Sequence, residues 1–516
     1  MKRKVLMAMC LSLMICFVAL ANNITTANVK LTGQNTGAHT TQVQFDLSWE
    51  NSWRTSSGPA NWDAAWVFVK YRVNNGPWKH ASINATGNVA PAGSVIDIGL
   101  LTPGTAFNAS TNPGLGAFIY RGANGSGTFT VTAAQLQWNY GATGVSDNDL
   151  VDVQVFGIEQ VYVPTGSFYL GSGAGTSPGA EFGSFYKYPT DTDPFQITSE
   201  AQITVGATAG NLFYYNSSPG TVGDALGPVP ATFPKGFRAF YCMKYELSQQ
   251  GFVDFLNNLP YGQSRAHYDY NNTIGKNQFY IDTVYGSSAF QSERPYRACN
   301  FLNWADLGAY LAWAGLRPMT EMEFEKACRG VLFPLPHEYA WGTALAAKNI
   351  YTIGNPFLSN EIITAQFSAG YGVGNAYSTN TSGYFANTTT TGPARVGIFA
   401  ASGTGVTGAG RASAGATYYG IMEMSGNVYE RTVTAGLPAG RSFTGTHGNG
   451  TLDAGGLATN ADWPSSATAS GMGQRGGAFT GPVPGDSLTV SNRRFAAQVN
   501  SIRSLYCGGR GVRTAP

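Results

Sequence analysis

The chain has 516 residues, room for two or three domains, and its formal net charge of +2 excludes an electrostatic case for nucleic acid or an anionic membrane surface. Only 12% of residues are charged, whereas 13% are aromatic and 66 are glycine, which excludes disorder. The profile is that of a loop-rich, β-heavy chain whose surface is solvated by neutral polar groups.

The first residues read as an export signal. Lys2, Arg3 and Lys4 precede an apolar run from Val5 to Leu20, and Ala19-Leu20-Ala21 supplies a small-x-small cleavage pattern. Cleavage after Ala21 is expected, making residues 1–21 a signal peptide. Lipidation at Cys16 is disfavoured by the large Ile15 before it. The run is short for a bilayer span and no later stretch is apolar enough, so no transmembrane segment is expected in the mature chain. The protein is expected to be periplasmic, on the outer surface or secreted. Removing Cys10 and Cys16 leaves Cys242, Cys299, Cys328 and Cys507. An oxidising compartment would join them as two disulfides in one of three pairings, between which spacing does not choose. None forms a CxxC, which argues against zinc.

Residues 22–160 read as an all-β sandwich domain. Val43, Phe45 and Leu47 alternate with polar residues in TQVQFDLSW, as do Ala65, Val67 and Val69 with their neighbours. FTVTAAQLQW and DLVDVQVFGIEQVYV continue the pattern, and Asn74-Asn75-Gly76 marks a hairpin turn. No catalytic constellation is visible there; His80 and Asp63 read as surface or turn residues.

Beyond Val161 helical periodicity appears in three places among long loops, an α+β arrangement. Ser248 caps a helix with Phe252, Phe255, Leu256 and Leu259 on one face. Asn303 caps the next, with Asp306 at its third position and Leu307, Tyr310, Leu311 and Ala314 buried. Thr320 and Glu323 make a capping box for the third, with Phe324, Ala327 and Cys328 inward and Gly330 at its end.

The order of motifs in this part carries a resemblance. VYVPTGSFYLGS (Val161 to Ser172) opens it, and FYCMKYELSQQGFVDFLN (Phe240 to Asn257) follows. Next come RACNFLNWADLGAYLAWAGLRPMTEMEFEKACRG (Arg297 to Gly330), EYAWGT (Glu338 to Thr343) and YYGIMEMSGNVYERT (Tyr418 to Thr432). RGGAF (Arg475 to Phe479), with RRFAA and the terminal GGRGVR, closes the series. Together they resemble the formylglycine-generating enzyme, or sulfatase-modifying factor, family. The resemblance implies that residues 161–516 form a loop-rich variant of the C-type lectin fold with long insertions.

It also implies roles for particular residues. Arg317 anchors the loop before the third helix, Thr320 and Glu323 cap it, and Glu325 is a network carboxylate. Trp304, Trp313 and Trp341 are buried anchors. Gly426 and Asn427 suit a tight turn. A structural calcium is implied at Ser425, Gly426, Val428 and Glu430; the alternative is that Glu430 pairs with an arginine such as Arg475. The family's two catalytic cysteines, which hold copper(I), fall at Gly481 and Asp486. No cysteine lies between Cys328 and Cys507, so no redox metal and no catalysis of that kind is expected. The five histidines (His39, His80, His267, His337, His447) are scattered, unlike the cluster of the related iron-dependent sulfoxide synthases; His337 and His447 read as loop residues.

Three functions follow from these expectations. One is recognition or assembly at a bacterial cell envelope, with the loops Gly171 to Gly236 and Tyr351 to Arg411 contacting a protein or glycan. Another is a structural subunit of an envelope, gliding or secretion apparatus, which an exposed apolar patch would favour. The third is an oxidase with relocated ligands, drawing on Cys507.

Overall fold

The computed structural model describes residues 24–175, 181–215, 219–268, 274–275, 278–347, 352–365, 373–377, 392–400, 410–479 and 486–516. The expected signal peptide, Gly481, the side chain of Asp486 and parts of both long loops lie outside the described residues.

Residues up to 163 form eight strands: β1 (Thr25–Asn35), β2 (Thr40–Arg54), β3 (Asp63–Val73), β4 (Lys79–His80), β5 (Ser94–Leu100), β6 (Gly114–Arg121), β7 (Gly125–Asn139) and β8 (Val151–Val163). β3 and β4 form the hairpin whose turn holds Asn74 and Asn75 at positive φ. A three-stranded sheet runs in the order β1-β2-β7. Its alternating pattern drives Val43, Phe45, Leu47 and Trp49 of β2 and Val131, Leu136 and Trp138 of β7 into one core with Ala65, Val67 and Val69 of β3.

β3 lies in a second, eight-stranded sheet. Its order is Arg317–Pro318, Gly511–Thr514, Phe240–Met243, β8, β3, β6, β5, with β4 on the end of β3. The division expected at residue 160 therefore does not part the structure. β8 pairs along the whole of β3, from Asp63↔Val161 to Val73↔Val151, and on its other edge with Phe240–Met243. The cause is a strand buried on both faces. While Ala65, Val67 and Val69 face the small sheet, Ala64, Trp66 and Phe68 face a core built with residues 240–316. Each large side chain so buried contributes about 1.5–3 kcal/mol, which makes β3 common property of both layers. The sandwich expected at 22–160 shares its second layer with the rest of the chain.

Three principal helices follow, of which the first two cover that second face and the third packs on Val161, Val163, Phe240 and Cys242. They are α1 (Gln249–Asn257), α2 (Trp304–Trp313) and α3 (Glu321–Arg329). Ser248 Oγ accepts from Gly251 N at 3.2 Å, and Asn303 with Asp306 closes a capping box on α2. Side chains from β3 end on the loop after α2: Trp66 Nε1 donates to Ala314 O at 2.8 Å, and Lys70 Nζ to Trp313 O at 2.7 Å and Gly450 O at 3.0 Å. Burial holds the Lys70 ammonium well below its ordinary pKa.

Two readings of polar residues are corrected. Asp63 is fully buried, not a surface residue: it accepts from Trp49 Nε1 (2.9 Å), Ser52 Oγ (2.8 Å), Trp53 N (3.0 Å) and Lys244 Nζ (3.1 Å). His80 stacks on Phe68 with Nε2 at 2.6 Å from Leu115 O, and His447 is 1% exposed, its Nε2 accepting from Thr514 N at 3.1 Å. Asp63 and His80 read as surface or turn residues because their partners are distant in sequence; His447 does lie in a loop, and is buried there.

The four cysteines are also corrected: Cys242, Cys299, Cys328 and Cys507 are free and buried. Cys242 and Cys328 pack with Val161, Val163, Met319 and Phe324, Cys299 lies in the main core, and Cys507 packs beside Tyr429. They serve as small apolar side chains.

A fragment starting at residue 161 would lose both β3 and most of β8. It is expected to show no cooperative thermal transition by circular dichroism, whereas a self-contained domain would melt like the full chain.

Candidate functional site

The centre of the C-terminal part is α3, every residue of which is buried although its sequence is EMEFEKACR. It sits there because each charge has a partner. Glu323 accepts from Arg317 at 2.6 and 2.9 Å and from Thr320 N at 3.0 Å, while Thr320 Oγ1 accepts from Glu323 N at 3.1 Å. Glu321 accepts from Arg475 (2.9 Å), from Arg493 (2.7 and 3.0 Å), and from Thr434 Oγ1 and Ala435 N (both 2.8 Å). Glu325 takes the other arm of Arg475 at 2.8 Å and also accepts from Gly171 N, Arg329 and Ser491 Oγ. Arg329 continues to Glu338, and Lys326 Nζ donates to Pro164 O, Gly236 O and Phe237 O. Arg493 and its neighbours hold the Glu321 carboxyl below the ordinary range despite burial.

Against this helix lies a ladder between Glu430–Val433 and Met472–Arg475, in which Glu430 faces Arg475. The turn before it has Gly426 at φ 101° and Asn427 at φ 60°, backbone angles that favour these two residue types. Gly426 N donates to Gly476 O, Asn427 N to Tyr377 O, and Phe479 N to Asn427 O. Ser425 Oγ donates to Leu488 O at 2.7 Å and accepts from Ala340 N at 3.0 Å. Val428 N donates to Glu246 Oε1 at 3.0 Å, and Asn427 Nδ2 to Glu246 Oε2. Trp341 stacks on Tyr339 at 4.7 Å and donates to Leu345 O.

Glu430 pairs with Arg510, its Oε1 at 2.6 Å from Nε, and not with Arg475, whose guanidinium is spent on Glu321 and Glu325. Glu430 Oε2 is buried without a partner. That oxygen fits a hard cation beside the turn, whereas the Ser425 hydroxyl is already committed. The structure thus brings Ser425, Gly426, Asn427, Val428, Glu430 and Arg475 into one region, with Thr320, Glu323 and Arg317 at the other end of α3.

Three further residues complete the region: Glu246, Glu423 and Arg510. Arg510 donates to Met243 O, Lys244 O and Met422 O as well as to Glu430. Glu423 Oε2 accepts from Gly397 N at 2.9 Å. Burial and mutual repulsion push Glu246 well up and Glu423 up to about 7. The sequence signal for the two glutamates was a carboxylate in each of the apolar segments KYEL and IMEM, where a solvated charge has no place, while Arg510 lies in the terminal GGRGVR.

None of the four thiols is joined to another. Burial pushes Cys242 up to about 12 and Cys299 and Cys328 well above the ordinary thiol value, so these three are protonated and unreactive. Among the described residues no group of three or more His, Cys, Asp or Glu is arranged to hold a metal ion. His267 is committed to Asp306 and Gly456 O, and His39 to Asp147 at the surface.

A family model described as sulfatase-modifying factor enzyme 1-like domain matches residues 155–435, beginning inside β8 and ending before the Arg475 strand. No curated protein matches the chain.

Glu423 provides a pH test. Its folded pKa of about 7 lies above the ordinary 4.5, so its contribution to stability is complete below about pH 4.5 and is lost as pH rises through 7. Glu423→Gln is expected to gain about 2 kcal/mol over the parent at pH 8 and little at pH 5, read by urea unfolding at both.

Proposed function

Because the chain belongs to the sulfatase-modifying factor enzyme 1-like family, we propose that it is an exported, non-catalytic member used for recognition or assembly at a cell surface. The observation that carries this reading is the state of its thiols. Copper(I) oxidation chemistry needs a pair of accessible thiolates. Here Cys242, Cys299 and Cys328 are buried and protonated, Cys507 is buried beside Tyr429, and the two places implied for the pair are Gly481 and Asp486. The partner would be a protein or glycan met by the long loops. Of the described helices none is long and apolar enough to cross a membrane.

Calcium is proposed as a structural ion at the turn 425–430. Glu430 Oε2 would supply the carboxylate, and main-chain carbonyls of Ser425, Gly426 and Val428 the remaining oxygens. The mature protein, its N-terminus determined by mass and expected at Asn22, is to be assayed for metals after a chelator wash. Calcium added back is expected to raise the melting temperature by at least about 2 °C, with no copper or iron retained. Stoichiometric copper surviving the wash would replace this reading with the oxidase.

A second reading, a structural subunit of an envelope assembly, is favoured by the segment after α3. Val331, Leu332, Phe333 and Leu335 are 49%, 44%, 64% and 49% exposed in close succession. An apolar cluster of this kind on a chain with few charges suits contact with a protomer. If so, sedimentation of the full chain is expected to show self-association that Phe333→Ser weakens at least about tenfold, roughly the loss of one interfacial aromatic. Sedimentation as a monomer at all concentrations would remove a second copy as the partner.

A further inference from the structure

Three charged side chains meet where β2, β3, β8 and the segment after Phe240–Met243 come together. Lys244 Nζ donates to Glu159 Oε2 at 3.0 Å, to Asp63 Oδ2 at 3.1 Å and to Asn51 O at 3.3 Å. All three charged residues are 4% exposed or less. The sheet register puts them there: Asp63 lies opposite Val161, Ala65 opposite Glu159, and Lys244 N donates to Glu159 O at 2.9 Å. Two carboxylates around one ammonium leave a net negative charge in a low dielectric, where even a balanced pair is costly.

The group facing the amine is a carboxyl held by donors on both oxygens. Asp63 Oδ1 accepts from Ser52 Oγ at 2.8 Å and Trp53 N at 3.0 Å, and Oδ2 from Trp49 Nε1 at 2.9 Å. Donors so placed stabilise charge that develops on an acyl oxygen under attack. The rings of Trp53 and Tyr245 lie 4.9 and 5.4 Å from Nζ and shield it from water. Glu159 is within hydrogen-bond reach of the amine, as a proton-transfer group must be, and its Oε1 is buried with no partner. Burial pulls the Lys244 ammonium down and Glu159 and its neighbours raise it, the attraction prevailing, so the ion pair is the resting state.

We propose that Lys244 Nζ and Asp63 Cγ condense to an intramolecular amide, with Glu159 carrying the proton. One ammonium proton passes along the existing hydrogen bond to Asp63 Oδ2, leaving a neutral amine beside a neutral carboxyl. Nζ then bonds to Cγ, and the carbonyl pair moves onto Oδ1 between Trp53 N and Ser52 Oγ. Glu159 takes a second proton from Nζ and returns it to the Oδ2 hydroxyl. The Cγ–Oδ2 bond breaks, the Oδ1 pair restores the carbonyl, and one water leaves. The amide keeps one N–H, Glu159 ends as it began, and two of the three buried charges are gone. The link ties β3 covalently to the segment entering α1, in a chain whose four described cysteines are free. It is independent of the catalytic state of the family domain.

The test is mass spectrometry of the full mature chain, intact and after denaturation and trypsin digestion. The parent is expected to weigh one water less than its sequence. Digestion is expected to give a branched peptide in which residues 239–265, uncut after Lys244, carry residues 55–70 through Asp63. Lys244→Arg keeps a cation without the amine nucleophile and is expected at full mass. Glu159→Gln, checked for a cooperative thermal melt, is expected to show less than about one tenth of the parent's linked fraction at the same harvest, since a positioned proton carrier is worth about 10²–10⁴ in rate. The parent's mass decides the question whether or not the variants fold. Full sequence mass in the parent, a water loss that maps to another residue, or a folded Glu159→Gln linked as completely as the parent would overturn the proposal.

Discussion

Three glutamates on one buried helix cannot be left unpaired, and most of the C-terminal architecture follows from how they are satisfied. Glu321, Glu323 and Glu325 on α3 draw in Arg475, Arg493, Arg317 and Arg329 from segments up to 172 residues away in sequence. Removing one partner of such a pair costs about 3–5 kcal/mol, because a charge is stranded in a low dielectric. That is a large part of the 5–15 kcal/mol by which a domain is stable. In a part with little regular structure, these forks do the positioning that strand ladders do elsewhere: Arg475 ties the 472–475 strand to α3, and Arg493 ties the segment after Leu488 to Gly183 O.

The same principle joins the two halves of the chain. Asp63, Glu159 and Lys244 form a buried triad across β3, β8 and the segment following Phe240–Met243. Trp66 and Lys70 reach from β3 to the end of α2. The N-terminal strands are therefore part of the scaffold that holds the family domain, and the match to the family begins within β8.

Around the 425–430 turn the chain holds a second group of buried carboxylates, Glu246, Glu423 and Glu430, against the guanidinium of Arg510, with Arg395 acting on Glu423. Glu246 orders the turn through Asn427 and Val428, Glu430 fixes Arg510, and Arg510 gathers three carbonyls. The geometry is that of a rigid, protonation-sensitive support. Burial keeps the thiols of Cys242, Cys299 and Cys328 protonated, and all four cysteines are buried and free.

Local features were legible in the sequence. The caps at Ser248 and Asn303, the turn at Asn74-Asn75, the alternation of Val43, Phe45 and Leu47 and the ordered motifs of the family domain all depend on residues within a few positions of one another, so pattern suffices to read them. What only the tertiary structure decided depends on pairs far apart. The burial of both faces of β3 hid a shared sheet behind an ordinary strand pattern, and Asp63 and His80 looked like surface residues until Lys244 and Leu115 came alongside. The partner of Glu430 proved to be Arg510 and not Arg475, and four cysteines in an even count remained separate thiols. A buried charge is placed by the partner that neutralises it, and nothing in the local sequence names that partner.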